Sequence, residues 1–213
     1  MISIEEARRH YQGADATHDF DHVLRVLALA ERLAKAEGAD MEIVRAATLL
    51  HDVARGRVSG PQADHAAAGA EFARRLLAGH PPEKVEAVCH AIAAHRFRRR
   101  YQAGNAATPN TLEAKILHDA DKLDAIGAVG VARAFAYGGL HCQRLWAEVP
   151  PGYTETEHDA TRPEHTPVHE FTIKLLRIQD RLLTGSARRL AEERHAFMVA
   201  FFERLEQEVR GMI

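Results

Sequence analysis

Apolar residues along this chain return every three or four positions, the spacing of one face of an α-helix. Between about His18 and Gly38 that face is written by Val23, Val26, Leu27, Ala30, Leu33 and Ala34. Before it, Ser3 and Glu6 form a capping-box pattern that opens a short helix ending near Gln12 and Gly13. Gly38 suits the position just past a helix end, and Asp40 suits the cap of the next helix, expected over about 41–54. Glycine and proline then mark 55–62 as loop, and helical spacing resumes near 64–79, 82–96, 111–120 and 125–137. The proline-rich stretch 138–168 reads as a long loop with a short helix around Gln143–Glu148. Closing helices are expected at about 168–183 and from Ala187, capped by Ser186, to Arg210. The run Leu175, Leu176, Ile178, Leu182 and Leu183, with Phe197, Met198, Phe201 and Phe202, reads as core. No stretch alternates as a strand would, so the expected architecture is all-α.

Composition narrows the function classes without choosing among them. The 213 residues are 46% hydrophobic and 27% charged, enough for a packed core, and the net charge is −2. That charge gathers neither nucleic acid nor an anionic membrane, and one basic run, RFRRR at 96–100, is poor footing for a nucleic-acid binder. Two cysteines, Cys89 and Cys142, with no CxxC, exclude a disulfide framework and a thiolate zinc site. No apolar run approaches the ~20 residues that cross a bilayer, and the acidic start lacks a signal-peptide pattern. A soluble cytoplasmic protein is expected. The chain does carry 14 histidines, and a metal site is one economical use of several of them.

Four polar residues sit where the pattern demands apolar ones. His22 falls in line with Val26, Leu29 and Leu33; His51 and Asp52 directly follow the apolar run Ala46–Leu50; Asp121 stands at the junction of two expected helices. Burying unpaired ionisable groups costs several kcal/mol (~3–5). A divalent cation removes that cost, because two neutral imidazoles and two carboxylates neutralise it and satisfy one another. Such nitrogen and oxygen ligands suit Mn, Fe, Co, Ni or Zn, with Mg accommodated by added waters.

The order of these residues, a histidine, a His-Asp pair about thirty positions on, and a late aspartate in an Ala-Asp-Lys-Leu setting, resembles the HD-domain phosphohydrolase superfamily. The segments THDFDHVLRVLALAERLA, AATLLHDVARG, AVCHAIAAHRF, ILHDADKLDAIGAVGVARAFAYGG and VHEFTIKLLRIQDRLLTGSARRLAEERHAFMVAFFERLEQE are similar to one bacterial subfamily of small stand-alone members. They span nearly the whole chain apart from 98–110 and 141–167. The resemblance implies one HD-type domain over 1–213, with a metal-binding core at 14–137, a loop-rich insertion at 138–167 and C-terminal helices at 168–213. It places the metal ligands at His22, His51, Asp52 and Asp121, with Asp119 as the rival two residues earlier. One ion is expected rather than two. The implied activity is metal-dependent hydrolysis of a phosphate ester or anhydride, with a nucleotide as the substrate class.

Around this set the residues suggest further roles. Asp52 is placed to orient the attacking water. His18 lies one helical turn before His22 and could orient a phosphate oxygen or protonate a leaving group, or simply face solvent at the helix start. His95 aligns with the apolar face of its helix and is a candidate contact for phosphate or a second metal, while His90 reads as surface. His65 could reach the site or remain outside it. Arg96 and its neighbours in RFRRR either meet the helix dipole or gather an anionic substrate. The resemblance puts Lys122 and Lys174 near the substrate; Asp124 is either a substrate contact or a helix N-cap. Two other classes stay open: a metal-containing regulatory module without turnover, and a di-iron oxygenase of the same helical cage. The long final helix, with Phe201, Phe202, Leu205 and Val209, could pair with a second subunit.

Overall fold

A computed structural model describes residues 1–11, 20–55, 64–96, 107–154 and 160–213. Among these every regular element is helical: α1 (Ile4–Arg8), α2 (Phe20–Glu37), α3 (Met41–Leu50), α4 (His65–Leu76), α5 (Pro82–Ala94), α6 (Leu112–Leu123), α7 (Gly127–Leu140), α8 (Pro167–Ile173) and α9 (Gly185–Val209). None is long and apolar enough to cross a membrane. The chain forms two compact units, one of Met1–Asp121 with Leu183–Ala187, the other of Lys122–Leu182 with Arg188–Ile213.

In the first unit two caps, at Ser3 and Asp40, are those the sequence announces. Ser3 and Glu6 close a capping box on α1, and Asp40 accepts the Glu42 and Ile43 amides at the start of α3. Asp64 does the same for α4 through Ala66 and Ala67, and Thr111 for α6 through Ala114. Helices α2, α4 and α1 each pack against α3 or its neighbour α5. Ala7, Phe20, Val23, Leu27 and Leu49 form one buried cluster there, sealed by Ile2, Tyr11 and Leu24, and the Tyr11 hydroxyl donates to the Leu49 carbonyl at 3.0 Å. Helix α3 ends at Leu50, four residues short of the expected boundary, and 51–55 continue as tight turns. Helix α1 likewise stops at Arg8 rather than near Gln12.

In the second unit Arg194 donates to the Leu123 carbonyl at 2.6 Å, and Phe171 stacks on Phe202 with ring centres 4.1 Å apart. The helix expected over 168–183 is α8 followed by two 3-10 turns, Leu175–Arg177 and Gln179–Arg181. Leu175 and Ile178 are three apart, which a three-residue turn places on one side, and both are buried with Leu182 and Met198. Leu183 and Phe197, expected in the core, are 39% and 50% exposed. Leu182 is extended, so its successor points the opposite way; Phe197 lies about 100° around the helix from Met198. The segment 143–148 is not helical. Helix α9 begins two residues before the expected start, and its cap is Thr184, whose hydroxyl accepts from the Ala187 amide, while Ser186 instead binds Glu37.

Gly130 shows how closely α7 follows the turn before it. A Cβ there would lie 2.2 Å from the Ala125 carbonyl oxygen, backbone that cannot yield cheaply, whereas a Cβ on Gly139 in the same helix meets nothing within 4 Å. Gly130→Ala is therefore expected to destabilise the protein by about 1–3 kcal/mol. Gly139→Ala should be neutral or stabilising by up to ~1 kcal/mol, since it removes backbone freedom without a clash. Chemical denaturation of the two variants beside the parent measures this; equal stabilities would contradict the close approach.

Candidate metal centre

Two helices deliver histidines at their final positions. His51 is the C-cap of α3 and His95 the C-cap of α5, so both imidazoles sit where the helix dipole is negative and a cation is favoured. Each ring donates its Nδ1 proton to a carbonyl one turn back, His51 to Thr48 at 2.8 Å and His95 to Ile92 at 2.5 Å. A carbonyl can only accept, so Nδ1 holds the hydrogen and Nε2 keeps its lone pair, the form that ligates metals. His22 comes from the first turn of α2 and is buried; His65 is the first residue of α4. Gly69, one turn after His65, lets α4 approach closely: a Cβ there would stand 3.4 Å from Ile92 and 3.5 Å from the His51 carbonyl oxygen.

All four Nε2 atoms converge on the carboxylate of Asp52, itself 3% exposed. Oδ2 lies 3.9 Å from His22 and 3.8 Å from His51; Oδ1 lies 3.7 Å from His65 and 3.7 Å from His95. His22, His51 and Asp52 make one group able to hold a metal ion, and Asp52, His65 and His95 a second. These separations are too long for hydrogen bonds but suit ligands of a shared ion, which at bond lengths of about 2.1 Å stand roughly 3.0–4.2 Å apart. His51 Nε2, Asp52 Oδ1 and His65 Nε2 are buried with no hydrogen-bond partner. Buried polar atoms are ordinarily satisfied, so three orphans facing one another fit a cation that all of them would ligate.

Charge follows the same plan. Burial pushes the imidazoles of His51 and His65 down to about 4, so both are neutral at pH 7. Burial alone would raise Asp52, but His51, His95 and Arg55 hold its carboxyl well below the usual range, and it stays ionised. Arg55 donates from Nε to Oδ2 at 2.8 Å.

The two candidate aspartates of α6 are set to different work. Asp121, in the helix's last turn rather than between helices, brings Oδ1 to 3.5 Å from His22 Nε2. Asp119 is fully buried and accepts from the Leu183 amide (2.9 and 3.0 Å), the Thr184 amide (2.7 Å) and the Thr184 hydroxyl (2.8 Å), with His118 Nδ1 at 3.0 Å. Its lone pairs are occupied in tying α6 to the chain entering α9.

Of the remaining expected residues, Arg96 pairs with Asp64 at 3.2 Å, joining the residue after His95 to the residue before His65. His90, expected at the surface, is half-buried, its Nε2 without a partner. Lys122, Asp124 and Lys174 belong to the second unit. Lys122 and Asp124 are buried, Asp124 accepts from Arg133 at 3.0 Å, and Lys174 pairs with Glu170. Asp124 is not the cap of α7, whose cap position is Ile126. His18 and Arg98–Arg100 lie outside the described residues. Two residues at the site had weak signals in the sequence: His65, next to a capping aspartate and one turn before a glycine, and Arg55, three after Asp52.

Residues 19–126 match the model of the HD domain. YpgQ of Bacillus subtilis is 35% identical over 195 residues, 92% of this chain and 86% of its own. The crystal structure of Bacillus subtilis YpgQ in complex with ADP superposes with a TM-score of 0.74 at 31% identity, covering 99% of this chain and 100% of that one. An HD-superfamily hydrolase from Bacillus thuringiensis gives 0.71 at 29% identity, with 97% and 94% covered. Ribonuclease Y of Cutibacterium acnes is 34% identical over 160 residues, but these are only 28% of its length.

Metal-free protein should lose stability as pH falls. Unfolded, His51 and His65 bind protons near 6.5; folded, only near 4, so between those values the unfolded chain takes up more protons. Stability is full above 6.5 and declines toward 4, with on the order of 3 kcal/mol from His51 alone. Denaturation of chelator-treated protein across that interval measures it, and a flat profile would contradict neutral buried imidazoles. Asp119→Ala, which strands the amides at 183 and 184, should cost about 3–5 kcal/mol in the same assay.

Proposed function

The chain belongs to the HD domain family, and on that footing we propose that it is a metal-dependent phosphohydrolase cleaving a phosphate ester or anhydride of a nucleotide. The convergence of orphaned imidazole and carboxylate atoms on Asp52 carries this reading. His22, His51, Asp52 and Asp121 would hold one divalent ion of the Mn, Fe, Co, Ni, Zn or Mg class. Such an ion supplies Lewis-acid polarisation of a phosphoryl oxygen and acidifies water from a pKa of about 15.7 toward ~7.

The chain's own residues do the rest. Thr48 holds the His51 ring so that its lone pair faces inward. Asp52, kept ionised, offers Oδ1 to orient the attacking water as a hydrogen-bond acceptor. The Arg96 guanidinium is assigned to phosphate oxygens, as are Lys122 and Lys174 on the family resemblance alone, and Asp124 is kept as a substrate contact. His95, whose Nε2 carries a lone pair and cannot donate to phosphate, is assigned instead to the second ion of the reading below. His18 is assigned the proton to the leaving group. The ADP in the YpgQ crystal structure supports a nucleotide as the substrate class.

A second reading has one observation in its favour: Asp52 turns each oxygen toward a separate pair of imidazoles. In that reading Asp52 would be shared by two ions, and His65 and His95 would hold the second. Metal content separates the two. One ion per chain that persists in His65→Ala supports the first reading, and two ions falling to one supports the second.

The direct test is a nucleotide panel with manganese- or cobalt-loaded protein and identification of the product. Release of phosphate or pyrophosphate is expected. His51→Ala should lose metal and at least ~100-fold of the activity, and Asp121→Asn about 10–100-fold in metal affinity. A regulatory, non-catalytic protein would bind metal and release nothing, and that outcome would end the proposal. Two irons with oxygen consumption would favour an oxygenase instead.

A further inference from the structure

Arg55 has no part in the reaction described above, yet it is fixed beside the candidate centre from both ends. Its backbone amide donates to the Asp52 carbonyl at 2.9 Å and its Nε to Asp52 Oδ2 at 2.8 Å. The two terminal nitrogens of the guanidinium meet no acceptor among the described residues, and the side chain is 39% exposed. The group therefore uses one edge on a buried carboxylate and leaves the other for an incoming partner. It also lies close enough to His65 that, after burial, its charge is the next influence keeping that imidazole unprotonated; Arg96 acts in the same direction.

Charge balance shows what kind of partner this is. Without a cation, Arg55 neutralises Asp52, and Arg96 neutralises Asp64. When a divalent ion shares Asp52 and Asp121, its two charges match those two carboxylates, and the charge on Arg55 becomes surplus. A planar fork with a free edge, surplus positive charge and water access suits a phosphoryl oxygen. We propose that Arg55 is a substrate-contacting residue, binding a phosphoryl group of the substrate through its terminal nitrogens while Asp52 holds its Nε. This rests on the phosphohydrolase reading.

The alternative is that Arg55 only serves as the counter-ion of a buried aspartate. Calorimetry on Arg55→Gln, Arg55→Lys and the parent distinguishes them, first with manganese alone and then with inorganic pyrophosphate added to the manganese-loaded protein. Expected for Arg55→Gln is a loss of roughly 10–100-fold in pyrophosphate affinity, the scale of a charge-assisted hydrogen bond, with manganese affinity unchanged or tighter. In turnover the same variant should raise KM more than it lowers kcat. Arg55→Lys, which keeps a charge on Asp52 and guards against misfolding, should recover only part of the affinity because it lacks the fork. Unchanged pyrophosphate affinity in folded Arg55→Gln, or a matching loss of manganese affinity, overturns the proposal and leaves the counter-ion role. If the manganese-loaded parent itself binds no pyrophosphate, the phosphohydrolase reading fails, and this proposal with it.

Discussion

A carboxylate buried among four imidazoles is the constraint around which the first unit is organised. Asp52 has 3% of its surface in water, and ionised carboxylates at that depth persist only with compensating charge or ligation. Arg55 supplies one such compensation through Oδ2, but Oδ1 is left without a hydrogen-bond partner beside the bare Nε2 of His65. An apolar residue at 52 would pack more cheaply. Retaining a charge there, with the rings of His51 and His95 turned to offer a lone pair, is intelligible as the design of a cation site.

That arrangement depends on where helices stop. Helices α3 and α5 both end on a histidine, and both histidines anchor Nδ1 to the carbonyl three residues earlier. In the last turn of α3 the Thr48 carbonyl takes the His51 Nδ1 proton, and this contact fixes the ring's orientation. Helix α4 then brings His65 within reach because Gly69 removes the side chain that would hold it away, and the Arg96–Asp64 pair joins the ends of α5 and α4. Asp119 and Asp121 illustrate the same economy on α6. They are two residues apart, so they face different directions, and one carboxylate secures the backbone at 183–184 while the other points to His22.

Much of this was legible in the residues. The helical class, the caps at Ser3 and Asp40, and the inward placement of His22, His51 and Asp52 follow from spacing and from the cost of burying polar groups. Helix ends were harder, because α8 gives way to 3-10 turns where the apolar spacing tightens to three, a change that reads as a continued helix in one dimension. Leu183 and Phe197 look like core by composition, yet each points away from a buried neighbour. His65 and Arg55 carried almost no signal, since one looks like any residue after a cap and the other like any surface arginine.

The division has a physical basis. Periodicity, capping and hydrophobicity are local, acting within a turn or two of the chain, so the linear order of residues settles which segments coil and which face of each is apolar. Convergence is not local: residues 22, 51, 52, 65, 95 and 121 share no periodicity, and their imidazole and carboxylate atoms meet within a few ångströms only after helices pack. Packing therefore decided that Asp52 faces two pairs of imidazoles rather than one, that Asp119 is consumed by backbone amides, and that a half-exposed arginine stands at the centre's edge.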